Sequence, residues 1–175
     1  GTLLAHPDIA ELLVDLFKAR LDPHAHDPER AEEIDARIGE LIEGVESLDE
    51  DRILSLYREV VRAVLRTNHF VREDRLALKL DSSGISLLPQ PRPWVEVYVH
   101  SLHTEGVHLR GGPIARGGLR WSERPEDFRT EVLGLVKAQM VKNAVIVPVG
   151  AKGAFVVRED LRGLDRAAVQ ERVAD

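Results

Sequence analysis

The chain has 175 residues, no cysteine, 43% hydrophobic and 31% charged residues, and a formal net charge of −6. That length can bury a real core as one large domain or two small ones, while the lack of cysteine excludes disulfides and thiol catalysis and points to the cytoplasm. The acidic balance argues against a general nucleic-acid binder, and no apolar run approaches the roughly 20 residues of a membrane span.

The N-terminal stretch "GTLLAHPDIAELL" has neither a signal-peptide pattern nor an initiator methionine, so the expectation is a fragment or processed piece. Residues 1–74 read as a helical segment of three amphipathic helices. Ile9, Leu12, Leu13, Leu16 and Phe17 recur at helical spacing after His6-Pro7, and the two prolines of "LDPHAHDPER" break that helix. Ala31, Ile34, Ile38, Leu41, Ile42 and Val45 form a second stripe. Ser47 and Glu50 stand at capping-box spacing before a third helix, whose buried side would carry Ile53, Leu54, Tyr57, Val60, Val61 and Val64. Stripes of this kind pack together as scaffold and carry no evident chemistry.

From residue 75 the pattern changes to alternation. Leu76, Leu78 and Leu80 suit a half-buried strand, Ser82-Ser83-Gly84 a turn, and Val95, Val97 and Val99 share one face of a further strand. "GVHLRGGPIARGGLRW" predicts one or two short strands interrupted by glycines. Pro125 fits the first position of a helix reaching about Asn143, with Glu126 and Asp127 favourable to its dipole. "AVIVPVG" predicts a short buried strand and "GAFVV" another. The fold class expected is therefore α+β or α/β: a helical segment, then the beginning of a mixed-sheet domain over 75–175.

Charge is unevenly spread. Residues 107–158 hold nine Lys/Arg against four acids, a local +5 that leaves −11 for the remainder. Such an electropositive island suggests a small anion as ligand. Gln139 and Lys142 lie three apart on a helix and so share a face. A strand returning beside that helix could bring Lys152 into the same pocket. Desolvation and a neighbouring cation both disfavour an ammonium, which would suit Lys152 to general-base chemistry at neutral pH. Against this stands the ordinary alternative of lysines with buried stems and solvated heads. Other motifs carry less. Lys152 is followed by Gly153 instead of Ser or Thr, so "GAKG" is no phosphate loop. There is no G-x-G-x-x-G and no G-x-S-x-G, and the histidines 24, 26, 100, 103 and 108 make no zinc spacing.

"RGGLRW", then a helix ending "KAQMVKNA", then "PVGAKG", resembles the substrate-binding segment of the amino-acid dehydrogenases, specifically glutamate dehydrogenase. The longer run from "HLRGG" to "GAKGAFV" is most similar to the large-subunit, NAD-dependent bacterial enzymes, with strong resemblance over residues 94–158. The resemblance implies that Arg116, with Gly117 and Gly118, binds the substrate's side-chain carboxylate. It implies that Gln139 and Lys142 hold the α-carboxylate, and that Lys152 is catalytic, activating water to attack the iminium carbon. Arg stands at 116 where the family has Lys, a change that still grips a carboxylate and can do so bidentately. Ala154 replaces a glycine, and one glycine is missing before Ala151.

The activity implied is reversible oxidative deamination of L-glutamate to 2-oxoglutarate and ammonium in a homo-oligomeric enzyme, with NAD bound by a domain outside this chain. The catalytic aspartate of the family would also lie beyond residue 175. The alternatives are another amino-acid dehydrogenase, for which a second carboxylate clamp at Arg116 would be pointless, or a non-catalytic anion-binding module.

Overall fold

The computed structural model describes residues 1–71, 74–142, 149–158 and 165–174, with positions 140–142, 149, 166, 172 and 174 described by their backbone alone. Four helices come first: α1 (Thr2–Ala5), α2 (Pro7–Leu21), α3 (Pro28–Glu43) and α4 (Leu48–Ala63). Their starts follow from local chemistry. Proline opens α2 and α3, where its missing N–H is no loss. The Asp27 carboxylate accepts from Arg30 N at 3.0 Å, and the Ser47 hydroxyl accepts from Glu50 N at 3.4 Å. The apolar stripes meet in one core in which Ile9, Leu16, Ile38 and Leu54 are almost wholly buried.

Seven strands follow among the described residues: β1 (Val64–Thr67), β2 (Arg75–Leu80), β3 (Val95–Ser101), β4 (Thr104–Arg110), β5 (Ala115–Arg116), β6 (Leu119–Trp121) and β7 (Val149–Val157). They form one mixed sheet ordered β1-β2-β3-β4-β7-β5, with β6 also pairing with β7. From β1 to β4 every neighbour is antiparallel. The tight β3–β4 turn is closed by Ser101, whose hydroxyl accepts from the backbone N–H of His103 and Thr104. The chain then leaves the sheet's order, forms β5 and β6, crosses over through α5 (Phe128–Lys142), and returns as β7. A helix between β6 and β7 is what allows those two strands to run parallel. A last helix, α6, covers Arg166–Ala174. The expected α+β class, helices followed by a mixed sheet, is the class found.

Helix α5 lies on one face of the sheet. Its Phe128, Val132, Leu133 and Val136 are buried against Val107, Leu109, Ala154 and Val156. Cross-strand partners share a face, so the same side carries Leu80, Glu96, Leu109 and Lys152 in one lateral row. Val97 and Val99 therefore lie on the side away from α5 and are only half-buried.

Three expectations are corrected. Val64 is not the end of the third helix but the first residue of β1. It pairs with Leu80, while the Ala63 carbonyl accepts from Asp81 N at 2.9 Å. Pro125 does not start α5: it sits in a turn closed by Asp127 N donating to Arg124 O, and the helix begins at Phe128. The segments "VG" and "GAFVV" belong to one strand, because Gly150 pairs with Arg116 of β5 and Gly153 is paired on both edges of β7. Residues 144–148 of "AVIVPVG" lie outside the described residues.

In the helical layer the Asp35 carboxylate accepts from Arg58 Nε at 2.8 Å and Nη2 at 3.0 Å, with Arg62 at 3.7 Å. The Arg58 hydrogen bonds hold the Asp35 carboxyl below its ordinary range, against the opposing effect of its own desolvation. A carboxylate lowered in the folded state stabilises fully above its unfolded pKa of about 4 and stops doing so as pH falls through the folded value. Asp35→Asn should therefore lose about 1.5 kcal/mol in urea unfolding at pH 7, a figure kept low because the pair is partly solvated. The gap between the variant and the unaltered chain should close as the pH is taken below about 4.

Candidate functional site

The site is built on β7, and its first requirement is room. On one edge Lys152 pairs with Leu109 of β4; on the other, Arg116 of β5 registers with Gly150 and Leu119 of β6 with Gly153. The Arg116-Gly117-Gly118 bend runs along β7 between these two registers, and Gly153 N donates to Gly118 O at 3.0 Å. A Cβ on Gly117 would stand 1.2 Å from the Ala151 carbonyl oxygen, so only glycine lets this bend pass. Gly118 has open space around it. Inside this frame Ala151 and Ala154 are buried and Lys152 is half-buried.

The helix supplies the next group. α5 runs antiparallel to β7, its first turns over Ala154 and Val156 and its later ones over Gly150. The Gln139 amide rests on Gly150: a Cβ there would lie 2.3 Å from Gln139 Oε1 and 2.5 Å from Cδ. Gln139 Oε1 is buried and meets no hydrogen-bond donor among the described residues. A buried acceptor without a partner is costly, and such groups are where a ligand is expected. Residues two apart on a strand share a face, so Lys152 projects on the α5 side, as do Gly150 and its register neighbour Arg116.

Of the residues singled out from sequence, Arg116, Gly117, Gly118, Gln139 and Lys152 thus converge around Gly150 and Ala151. Arg116 is exposed, and Lys152 lies within β7 and not just past it, which corrects the expected loop position. A strand paired on both edges holds that lysine more rigidly than a loop would. Lys142 is the last residue of α5, three beyond Gln139, and its side chain lies outside the described residues.

Sequence reasoning missed several neighbours. Gly150 and Gly153, which with Ala151 and Ala154 read from sequence as room for a substrate, instead take protein atoms: Gly150 is the floor under Gln139, and Gly153 the space filled by Leu119, by the Val107 carbonyl and by the His108 ring. That ring lies on the face away from α5. Burial, and then the nearby Arg110, lower the His108 pKa, which keeps the imidazole neutral at pH 7. Two ion pairs flank α5. Arg129 donates from Nε and Nη2 to both oxygens of buried Glu96, each at 2.7 Å. Glu131 accepts from the Ser122 hydroxyl at 2.8 Å and pairs with Arg120 at 3.0 Å. The one signal for the first pair was a carboxylate set among valines in "WVEVYVH".

Known proteins resemble this chain closely. The family described as bacterial NAD-glutamate dehydrogenase, catalytic domain, matches residues 37–175. A protein of Halomonas elongata named NAD-specific glutamate dehydrogenase is 54% identical over 177 residues, covering 97% of this chain and 11% of its own length. Proteins of the same name from Mycobacterium tuberculosis and Pseudomonas aeruginosa are 53% and 49% identical, covering 90% and 97% of this chain and 10% and 11% of their own lengths. The chain therefore spans about a tenth of the length of these relatives.

The two glycines of the bend offer a contrast. Gly117→Ala should destabilise the chain by about 2 kcal/mol or more in urea unfolding, because the added methyl meets backbone that cannot yield. Gly118→Ala, facing open space, should stay within about 0.5 kcal/mol.

Proposed function

The chain belongs to the family of the bacterial NAD-glutamate dehydrogenase catalytic domain, and from that premise we propose that it forms the substrate-gripping part of an enzyme that interconverts L-glutamate with 2-oxoglutarate and ammonium. The observation that carries this reading is the Gln139 amide seated on Gly150, its buried oxygen unpartnered among the described residues, two residues from Lys152 on the same strand face. In this reading residues 1–74 are a mainly helical segment whose β1 joins the sheet, and residues 75–175 the first part of the substrate-binding domain. The parent, in this reading, is a cytoplasmic homo-oligomer, as the family resemblance implies. Among the described residues no helix is long and apolar enough to cross a membrane.

The residues divide the work by charge and position. Arg116, exposed at the rim beside Gly150, grips the side-chain carboxylate of glutamate, where its planar fork can make two parallel hydrogen bonds. The Gln139 amide, donating from Nε2, and Lys142 hold the α-carboxylate, while the buried Gln139 Oε1, an acceptor, is left for a donor such as the substrate's amino group. The reacting carbon then lies over β7 at Lys152, whose amine takes a proton from the attacking water and steadies the charge that develops. Gly117 and Gly150 let the bend and the Gln139 amide pack directly onto β7.

The sequence has no glycine-rich strand-to-helix fingerprint of a dinucleotide cradle. NAD, the oxidant of the α-carbon, is in this reading bound by residues outside the chain.

Within the full-length enzyme, Lys152→Ala should lower kcat by about 10²–10⁴-fold, the range for loss of a positioned acid–base group, with circular dichroism unchanged. A near-normal rate would overturn the assignment. Arg116→Leu should raise KM for glutamate and narrow its advantage over amino acids with apolar side chains. An unaltered preference would instead favour a dehydrogenase for a different amino acid.

A further inference from the structure

Helix α5 is held by two kinds of contact that do different jobs. Its underside packs Phe128, Val132, Leu133 and Val136 onto the sheet. Such packing is strong but weakly directional, so it leaves rotation and sliding of the helix poorly fixed. Arg129 and Glu131 are two residues apart, about 200° around the helix, and so leave it on opposite flanks. On one flank Arg129 makes a two-pronged pair with Glu96 of β3, a carboxylate only 5% exposed. On the other, Glu131 is held by Arg120 of β6 and by Ser122, itself 3% exposed.

A buried ion pair is a poor source of stability, because apolar residues of the same volume hold a fold as well or better. Its use is directional. The fork of an arginine on a carboxylate fixes angle as well as distance. Here that angle sets where the far end of α5 points. Gln139 lies ten residues beyond Arg129, about 15 Å along the axis. A side chain some 6 Å from a helix axis moves about 2 Å when the helix turns by about 20°, enough to take the amide off Gly150.

Resting on the reading of Gln139 as a substrate ligand, we propose that the Glu96–Arg129 pair is a positioning device for the glutamate site. It sets the rotation of α5 so that the Gln139 amide meets the substrate carboxylate. Neither residue touches substrate. Glu96 shares the lateral row of Leu109 and Lys152, so the pair references the helix to the same layer of the sheet that carries the lysine.

The test is the full-length enzyme with the double substitution Glu96→Leu and Arg129→Met, which swaps the pair for apolar packing. A merely structural role predicts that KM for glutamate follows Tm, so a variant as stable as the unaltered enzyme keeps its KM. The positioning role predicts an unlowered Tm with KM raised about tenfold or more and kcat changed less than about threefold, the signature of lost uniform binding. Arg129→Lys, which keeps the charge and loses the fork, should fall between the two. A double variant with normal KM overturns the proposal. Should that variant fail to fold, a normal KM in Arg129→Lys does so instead. Lys152→Ala assayed alongside separates the two claims: if it loses turnover while the double variant keeps its KM, the positioning role alone is wrong.

Discussion

Strand β7 is the constraint on which the rest of the site depends. It is paired with β4 on one edge and with β5 and β6 on the other, so each of its nine residues has a partner on at least one edge. This rigidity lets the strand hold Lys152 on the α5 side of a layer otherwise filled by Leu109, Ala154 and Val156. A lysine in a loop would turn its head to solvent. Here the backbone is fixed, and glycines at 117, 150 and 153 clear space around it for the bend, the helix and the neighbouring strand.

The topology explains why these residues meet although they are spread over residues 116–152. A parallel pair of strands requires a crossover, and the crossover helix must lie on the sheet near its return strand. β6, α5 and β7 form that unit. The bend before β6 and the later turns of α5 are thereby brought to the start of β7, where Arg116, Gln139 and Gly150 come together.

Much of this is legible in the sequence, for physical reasons that differ by region. The apolar stripes of α2 and α3 and the Ser47 cap follow from helical period and from the chemistry of free N–H groups, both local. Val64 reads as helix because its apolar spacing fits one equally well; only its partner Leu80, sixteen residues on, makes it a strand. Pro125 is ambiguous because proline suits a turn and a first helical position alike. Lys152 reads as a loop residue, since the glycines around it suggest a loop until the pairing on both edges is known. The Glu96–Arg129 pair spans 33 residues and obeys no period, so it becomes visible only in three dimensions. Gly150 carries a signal of small size but none of what would fill the space.

The central claim is that the Gln139 amide, seated on Gly150 beside Lys152, forms part of the floor of a dicarboxylate site. The most direct test is calorimetric titration of 2-oxoglutarate into the full-length enzyme and its Gly150→Ala form. A methyl at that position displaces the Gln139 side chain, whose Oε1 would lie only 2.3 Å away. The account predicts an affinity weakened about tenfold or more, roughly the 1.4 kcal/mol of one good polar contact, with the fold retained. An unchanged affinity in a folded Gly150→Ala enzyme would contradict it.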